Sequence, residues 1–399
     1  MKIAILIARA GPTNAPLFKK IAHNSFLEST VYYCTDIGVG KFDYDSEFNT
    51  QVNWGEGVLD GYPHIFLKNL LPQKISEKND MWVNVGIITE LLKNKYDAVL
   101  VYGWNVPTFW FAFLVCFFMR TPIFIWGENP LHQEIIKRGA LKNIKRFILK
   151  NLFKIATGFL YIGNENKKFY EFFGVPPRKL FFAPYATNNE LCIEKAHVFQ
   201  SRKNELREQC GIDSKAPLIL FVGKLIEKKR PLNLLKAYEK IVKGNVFTQI
   251  PTLAFVGDGA LRSSLELYAK GAHLEKVHFA GFQTKDKVYQ YMSMADVFVL
   301  PSGVGETWGM VVNEAMCFSL PVVVSDVVGC GSDLVRIGEN GYITQLDNID
   351  DLAGAILKIV SNQEVRERFG LRSFQIIQGY SQEKDIEGII KAVSSIKHG

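Results

Sequence analysis

At 399 residues the chain exceeds the length at which a single hydrophobic core stops growing, so two domains of roughly 190 residues are expected. A composition 48% hydrophobic and 22% charged excludes disordered and fibrous classes, and six cysteines with no C-x-x-C pair exclude a disulfide framework or a zinc cluster. The net charge of +7 is lopsided: residues 1–199 hold 23 basic against 17 acidic side chains and residues 200–399 hold 24 against 23, so the first half faces something anionic.

In chain order the first half alternates short apolar runs with helical patterns. Strand Lys2–Ala8 lacks the cleavage site of a signal peptide, which implies a cytoplasmic chain. There follow helix Pro16–His23, strand Thr30–Thr35, a long polar loop, helix Met81–Lys93, strand Ala98–Tyr102, helix Phe109–Met119 and strand Pro122–Trp126. Strand Gly158–Ile162, helix Asn164–Phe173 and strand Leu180–Pro184 continue the rhythm, and Tyr185–Gln200 reads as a polar, irregular hinge. The second half restarts with strand Leu218–Val222, helix Pro231–Val242, strand Thr252–Val256, helix Ala260–Lys270, strand Val277–Ala280, helix Lys285–Met294 and strand Val297–Leu300. This alternation predicts two doubly wound, parallel α/β domains whose ligands gather at the carboxyl ends of the strands.

Two stretches of the first half invite a membrane reading. Ala98–Met119 is free of charge, but Gly103, Asn105, Pro107 and Thr108 interrupt it, so strand, loop and a buried or membrane-grazing helix fit better than a span. Lys142, Arg146, Lys150 and Lys154 recur every fourth residue, with Lys137, Arg138 and Lys145 close by and no acid in the run. A basic amphipathic helix suits an anionic membrane surface; a solvated helix face would have the same periodicity, and no aromatic recognition motif supports nucleic acid.

The chemistry concentrates in the second half. Between Pro301 and Asp326 the chain reads PSGVGETWGMVVNEAMCFSLPVVVSD, with Glu306 in a loop and Glu314 about one turn into a helix opened by Gly309. A helix start offers free N–H groups to phosphate, here those of Gly309, Met310 and Val311, and a carboxylate at Glu314 can accept from vicinal hydroxyls. After the strand ending at Val222, GKLIEKKRP lets Gly223 turn and aims Lys224 and Lys229 at the same point, where cations would neutralise a diphosphate. Gly257-Asp258-Gly259 follows a strand as a turn, and Asp43-Tyr44-Asp45 forms a D-x-D in a polar loop beside Ser46 and Glu47, without an apolar strand to hold a metal.

The two glutamates, the Gly309 turn and the strand that follows resemble the retaining GT-B glycosyltransferases of glycosyltransferase family 4, most strongly over residues 216–345. The resemblance implies an α/β, GT-B architecture of two Rossmann-like domains facing each other across a cleft. Residues 1–190 would bind the acceptor, 191–382 the nucleotide sugar, and 383–399 would form a helix crossing back to the first domain. It further implies retention without a metal or other cofactor, by front-face displacement in which the departing phosphate oxygen takes the acceptor proton. Lys224 and Lys229 would hold the diphosphate, Glu306 and Thr307 would meet the sugar, Glu314 would bind the ribose, Gly257 would admit the nucleotide, and the main chain at Phe282 would read the base. In the first domain Gly11 would lie over the diphosphate, and Glu128 would touch the transferred sugar where a His is commoner; His132, Asp60 and His64 are weaker candidates. Lys224 stands where the family pattern has Arg, and Arg230 stands where Gly is frequent, so Arg230 could supply the missing fork. The expected partners are a UDP- or GDP-sugar, a glycan acceptor that is polyprenyl-diphosphate-linked or soluble, and an anionic membrane face, with no nucleic acid. A nucleotide-sugar epimerase and a non-enzymatic carbohydrate-binding subunit are the alternatives.

Overall fold

The computed structural model describes residues 1–39, 43–45, 50–52, 57–72, 81–136, 139, 141–244 and 247–398. They form two compact units, one made of Met1–Tyr44, Gln51–Tyr185 and the segment from Gln382 onward, the other chiefly Ala186–Ser381. The fold is α/β in both.

The chain up to Tyr185 contains β1 (Lys2–Arg9), β2 (Glu28–Thr35), β3 (Asp43–Asp45), β4 (Thr50–Val52), β5 (His64–Phe66), β6 (Ala98–Val101), β7 (Ile123–Trp126), β8 (Gly158–Tyr161) and β9 (Leu180–Phe182). Its main sheet runs β5-β2-β1-β6-β7-β8-β9, every pair parallel, while β3 and β4 make a separate two-stranded ribbon. The D-x-D residues therefore lie in a short strand, not in the loop expected from their polarity. The central strands AVLV and IFIW are buried along their whole length, as strands covered on both faces must be. Helices Gly86–Lys93, Pro107–Met119, Leu141–Ile155 and Asn164–Phe172 supply one continuous core on one face, centred on Ile87, Phe109, Phe113, Leu152, Phe153 and Phe169. Helix Gln382–Ser394 belongs to this unit and packs on β8, β9 and helix Ala15–Ala22. No described helix is long and apolar enough to cross a membrane.

Unit two contains β10 (Leu218–Val222), β11 (Thr252–Val256), β12 (Val277–Gly281), β13 (Val297–Leu300), β14 (Val322–Ser325) and β15 (Gly341–Thr344), ordered β12-β11-β10-β13-β14-β15 and parallel throughout. The strand order reverses beside β10, so the loops after β10 and β13 stand at the switch point where such sheets bind ligands.

One expectation is overturned: most of Tyr185–Gln200 is an ordered helix, Asn189–Gln200. The Asn188 side chain caps it by accepting from the Leu191 N–H at 3.2 Å, and the Asn189 amide donates to the carbonyls of Ile377 and Tyr380 at 3.3 and 3.2 Å. The helix also buries Cys192 and Phe199 and packs on helices Lys285–Met294 and Met310–Cys317.

Candidate active site

In unit two, β10 ends at Val222 and the chain turns at Gly223, whose N–H donates to the Val256 carbonyl at 3.0 Å. A 3-10 turn, Glu227–Lys229, then leads to helix Pro231–Lys243, with Arg230 between them at φ +52°. That left-handed conformation gives a physical reason for the glycine frequent at this position in the family resembled. The Arg230 guanidinium is engaged by Asp347 Oδ1 at 2.9 Å and by the Glu227 carbonyl at 2.9 Å.

The loop after β13 is bound to this one. The Gly303 N–H donates to the Lys228 carbonyl at 2.6 Å, and Lys229 Nζ forms an ion pair with Glu306, both side chains being largely buried. Behind them the Glu306 and Trp308 carbonyls accept from the N–H groups of Gly329 and Cys330 at 3.2 and 3.0 Å, and the Trp308 indole donates to Asn313 Oδ1 at 2.9 Å. Thr307 is thereby fixed between two anchored neighbours. The Cys330 thiol behind Glu306 is held neutral, pushed well up first by burial and then by the Glu306 charge.

Gly309 precedes helix Met310–Cys317 at φ +98°, where a Cβ would press to 3.0 Å from a Leu300 methyl. Glu314 lies just over a turn into that helix, buried, and accepts from Lys285 Nζ and from Thr187 Oγ1, the latter at 3.5 Å. Lys285 Nζ also sits 5.2 Å from the centre of the Tyr289 ring. At Gly257, φ is +138° and a Cβ would stand 2.0 Å from the Gly223 carbonyl oxygen, so only glycine lets the loops after β10 and β11 meet. Lys224 is half-buried beside this junction, and Phe282, just past β12, is exposed. The chemistry available here is a pair of carboxylates held by two lysines next to a helix start, all at the carboxyl edge of one sheet.

In unit one the Tyr185 phenol donates to Glu128, and burial together with the Glu128 charge pushes that phenol well up. Gly11 opens the turn into helix Ala15–Ala22, and a Cβ there would meet nothing within 4 Å. His132 is turned to Glu165, Nδ1 to Oε2 3.2 Å, and that contact holds the Glu165 carboxyl down at about 2. Asp60 is exposed, and His64 Nδ1 lies 3.1 Å from the Tyr62 carbonyl. On helix Leu141–Ile155, Arg146 bends to the buried Glu134 at 3.3 Å and Lys145 lies 3.9 Å from the same carboxylate, while Lys142 reaches the Ile135 carbonyl and Lys154 the Asn151 side chain. The basic stripe is therefore narrower than its fourfold spacing suggests, with Lys145, Lys150 and Lys154 its exposed members. Lys137 and Arg138 lie outside the described residues.

Residues 202–375 match the family model described as Glycosyl transferases group 1. The second unit belongs to that family. The chain is 29% identical over 237 residues to an uncharacterised glycosyltransferase of Methanocaldococcus jannaschii, covering 54% of this chain and 63% of that protein. It is 27% identical over 191 residues to the lipopolysaccharide core biosynthesis glycosyltransferase LpsE of Rhizobium meliloti, covering 47% and 53%. The chain thus spans between half and two thirds of the length of these relatives. The structure of Anabaena HepE in complex with UDP superposes over 99% of this chain and 100% of that one, with a TM-score of 0.75 at 18% identity, which establishes a shared GT-B fold.

The sequence singled out both glutamates, Lys224 and Lys229, which the structure places at one sheet edge; it did not single out Lys285 and Thr187, the two side chains that hold Glu314. Lys285 opens helix Lys285–Met294 and Thr187 lies just before helix Asn189–Gln200, and no local pattern at either position points to a carboxylate so distant in the chain. Nor did spacing reveal that Lys229 and Glu306, 77 residues apart, touch.

Proposed function

We propose that the chain is a retaining, metal-independent glycosyltransferase that moves a sugar from a UDP- or GDP-sugar to a polyprenyl-diphosphate-linked glycan, on the cytoplasmic face of an anionic membrane. The observation that carries the reading is the Lys229–Glu306 pair, which ties the loops after β10 and β13 together beside the helix begun at Gly309. An arriving diphosphate would compete for Lys229 and Lys224, freeing the Glu306 carboxylate to accept from the hydroxyls of the transferred sugar. The first-turn N–H groups of Met310 and Val311 would take part of the phosphate charge, and a ribose diol would share Glu314 with Lys285 and Thr187. Catalysis would then consist of positioning and of charge neutralisation by lysines and helix dipole, in place of a divalent ion. Glu128, to which the Tyr185 phenol donates, would contact the transferred sugar. The relative named for lipopolysaccharide core biosynthesis and the UDP complex of HepE support the donor and acceptor classes. The exposed Lys145, Lys150 and Lys154 support the membrane partner.

A thermal-shift panel of UDP, GDP, ADP and CMP, each with and without a chelator, tests the donor site. One nucleoside diphosphate should raise the melting temperature, and the chelator should leave the shift unchanged. A flat panel removes the reading, and a shift that needs added divalent metal removes its metal-independent part. The anomeric configuration of the product, read by NMR, decides retention.

A further inference from the structure

Helix Pro107–Met119, PTFWFAFLVCFFM, has no charged side chain and no polar one beyond Thr108. Its inward side is fully used, with Phe109, Ala112, Phe113 and Cys116 buried in the core of unit one. Its other side is equally apolar yet lies in water: Leu114, Phe117, Phe118 and Met119 are 55, 57, 78 and 53% exposed. A helix apolar all round needs cover on every face, and among the described residues this one has cover on only one.

The neighbouring helix enlarges the patch. Strands β6, β7 and β8 are consecutive in the sheet, and helices Pro107–Met119 and Leu141–Ile155, which lie in the connections after the first two, bury their inward sides in one continuous core. The second buries Leu149, Leu152 and Phe153 and exposes Ile144, Phe147 (70%) and Ile148. At roughly 150–250 Å² per aromatic side chain, Phe117, Phe118 and Phe147 alone leave on the order of 400 Å² of apolar surface in water. With the aliphatic members the exposed apolar area of the two helices exceeds the ~300–600 Å² of the largest patch on a typical monomer.

The charge around the patch decides the occupant. Between Arg120 and Tyr161 the acids are Glu128 and Glu134; Glu134 is buried and held by Arg146, and Glu128 stands beyond the far, carboxyl end of β7. The exposed charged side chains of that stretch are all basic: Arg120, Lys145, Lys150 and Lys154. A second copy docked on the same patch would set these cations against themselves, whereas an anionic bilayer complements them and accepts phenyl rings at its acyl boundary. We propose that the outer faces of helices Pro107–Met119 and Leu141–Ile155 insert together into the surface of an anionic lipid bilayer, as an apolar wedge with a basic rim. This deepens the membrane part of the proposed function and rests on that part for its purpose, but it replaces contact through a lysine stripe with insertion centred on Phe118 and Phe147.

Flotation of the full chain with vesicles of phosphatidylcholine, alone or mixed with phosphatidylglycerol, tests it. The chain should float with the mixed vesicles in about 0.1 M salt and remain partly bound in about 1 M salt, where the screening length falls from ~10 to ~3 Å but inserted rings are unaffected. Phe118→Ser with Phe147→Ser should lower partitioning by roughly tenfold per ring. Lys145→Ser, Lys150→Ser and Lys154→Ser together should abolish the preference for phosphatidylglycerol while leaving residual binding. Melting temperature and the nucleoside-diphosphate shift, unchanged in both variants, certify the fold. The inference is overturned if the chain does not float, if binding vanishes in high salt and ignores the phenylalanine changes, or if sedimentation reveals a dimer that the same changes dissolve. Failed flotation with an intact nucleotide shift removes the wedge and leaves the donor site standing; the reverse result removes the donor site and leaves the wedge.

Discussion

At the carboxyl edge of unit two a Cβ on Gly257 would stand 2.0 Å from the Gly223 carbonyl oxygen, whereas at the carboxyl edge of unit one a Cβ on Gly11 would meet nothing within 4 Å. The same contrast runs through the charges. In unit two the glutamates at the sheet edge are matched by lysines, Lys229 on Glu306 and Lys285 on Glu314. In unit one Glu165 and Glu134 are matched too, by His132 with Lys168 and by Arg146, but Asp385 is wholly buried with Oδ1 unpartnered, and so is the hydroxyl of Tyr102 after β6. A fixed ligand group, such as a nucleoside diphosphate, demands interlocked loops and matched charge. A group that differs from one enzyme to the next does not. The family match falls on residues 202–375, within the unit whose loops interlock.

The comparison breaks most sharply at the Lys229–Glu306 pair. Glu306→Ala should reduce sugar transfer by about 10²–10³-fold while the nucleoside-diphosphate shift stays close to that of the unaltered chain, and Lys229→Ala should lower both. Equal loss of transfer and nucleotide binding in Glu306→Ala would make the carboxylate a structural counterion of Lys229. Next in size is the glycine contrast. Gly257→Ala combines a strained φ with a collision against backbone and should cost about 3 kcal/mol or more, seen as a lower denaturant midpoint and a lost nucleotide shift. Gly11→Ala should stay within ~0.5 kcal/mol of the parent. Similar midpoints for the two variants would erase the distinction between the edges.

The same difference governed what could be read in advance. Strands Leu218–Val222, Thr252–Val256 and Val297–Leu300 and helix Lys285–Met294 lie where their patterns place them, because a buried parallel strand reads as a short, nearly continuous apolar run whose limits are written locally. The start of the helix at Met310 was legible from Gly309, whose positive φ only glycine adopts cheaply. Helix Asn189–Gln200 was not: beyond the Asn188 cap, its partners are the carbonyls of Ile377 and Tyr380 and helices Lys285–Met294 and Met310–Cys317, all far along the chain. Strand Gly341–Thr344 and helices Ile349–Val360 and Gln363–Ile377 went unassigned. At the site, residue types and spacing disclosed the two glutamates and the basic loop, but not which cation meets which carboxylate. Arg146 is the mirror case in unit one: its periodicity assigned it to a stripe, and Glu134, twelve residues earlier, removed it.

The smallest expected effect concerns the unpartnered carboxyl of unit one. Burial alone raises the Asp385 carboxyl well above its usual range, so the folded chain keeps a proton that the unfolded chain releases near pH ~4. The sign follows from linkage: the unfolded state binds fewer protons above that pH, so this group's contribution to stability falls as pH rises toward the raised value. Asp385→Asn keeps the shape and abolishes the titration. It should leave the melting temperature almost unchanged near pH 4 and raise it by roughly 2–4 °C at pH 8, the effect of relieving a penalty of about 1 kcal/mol in a domain of this size. If the variant instead melts lower at pH 8, Asp385 is ionised and paired there, and the carboxyl edge of unit one has its charges matched as fully as that of unit two. If it melts higher at pH 8 but transfers sugar more slowly, the chain tolerates an unstable acid because acceptor binding uses it, and the open edge is then the working edge.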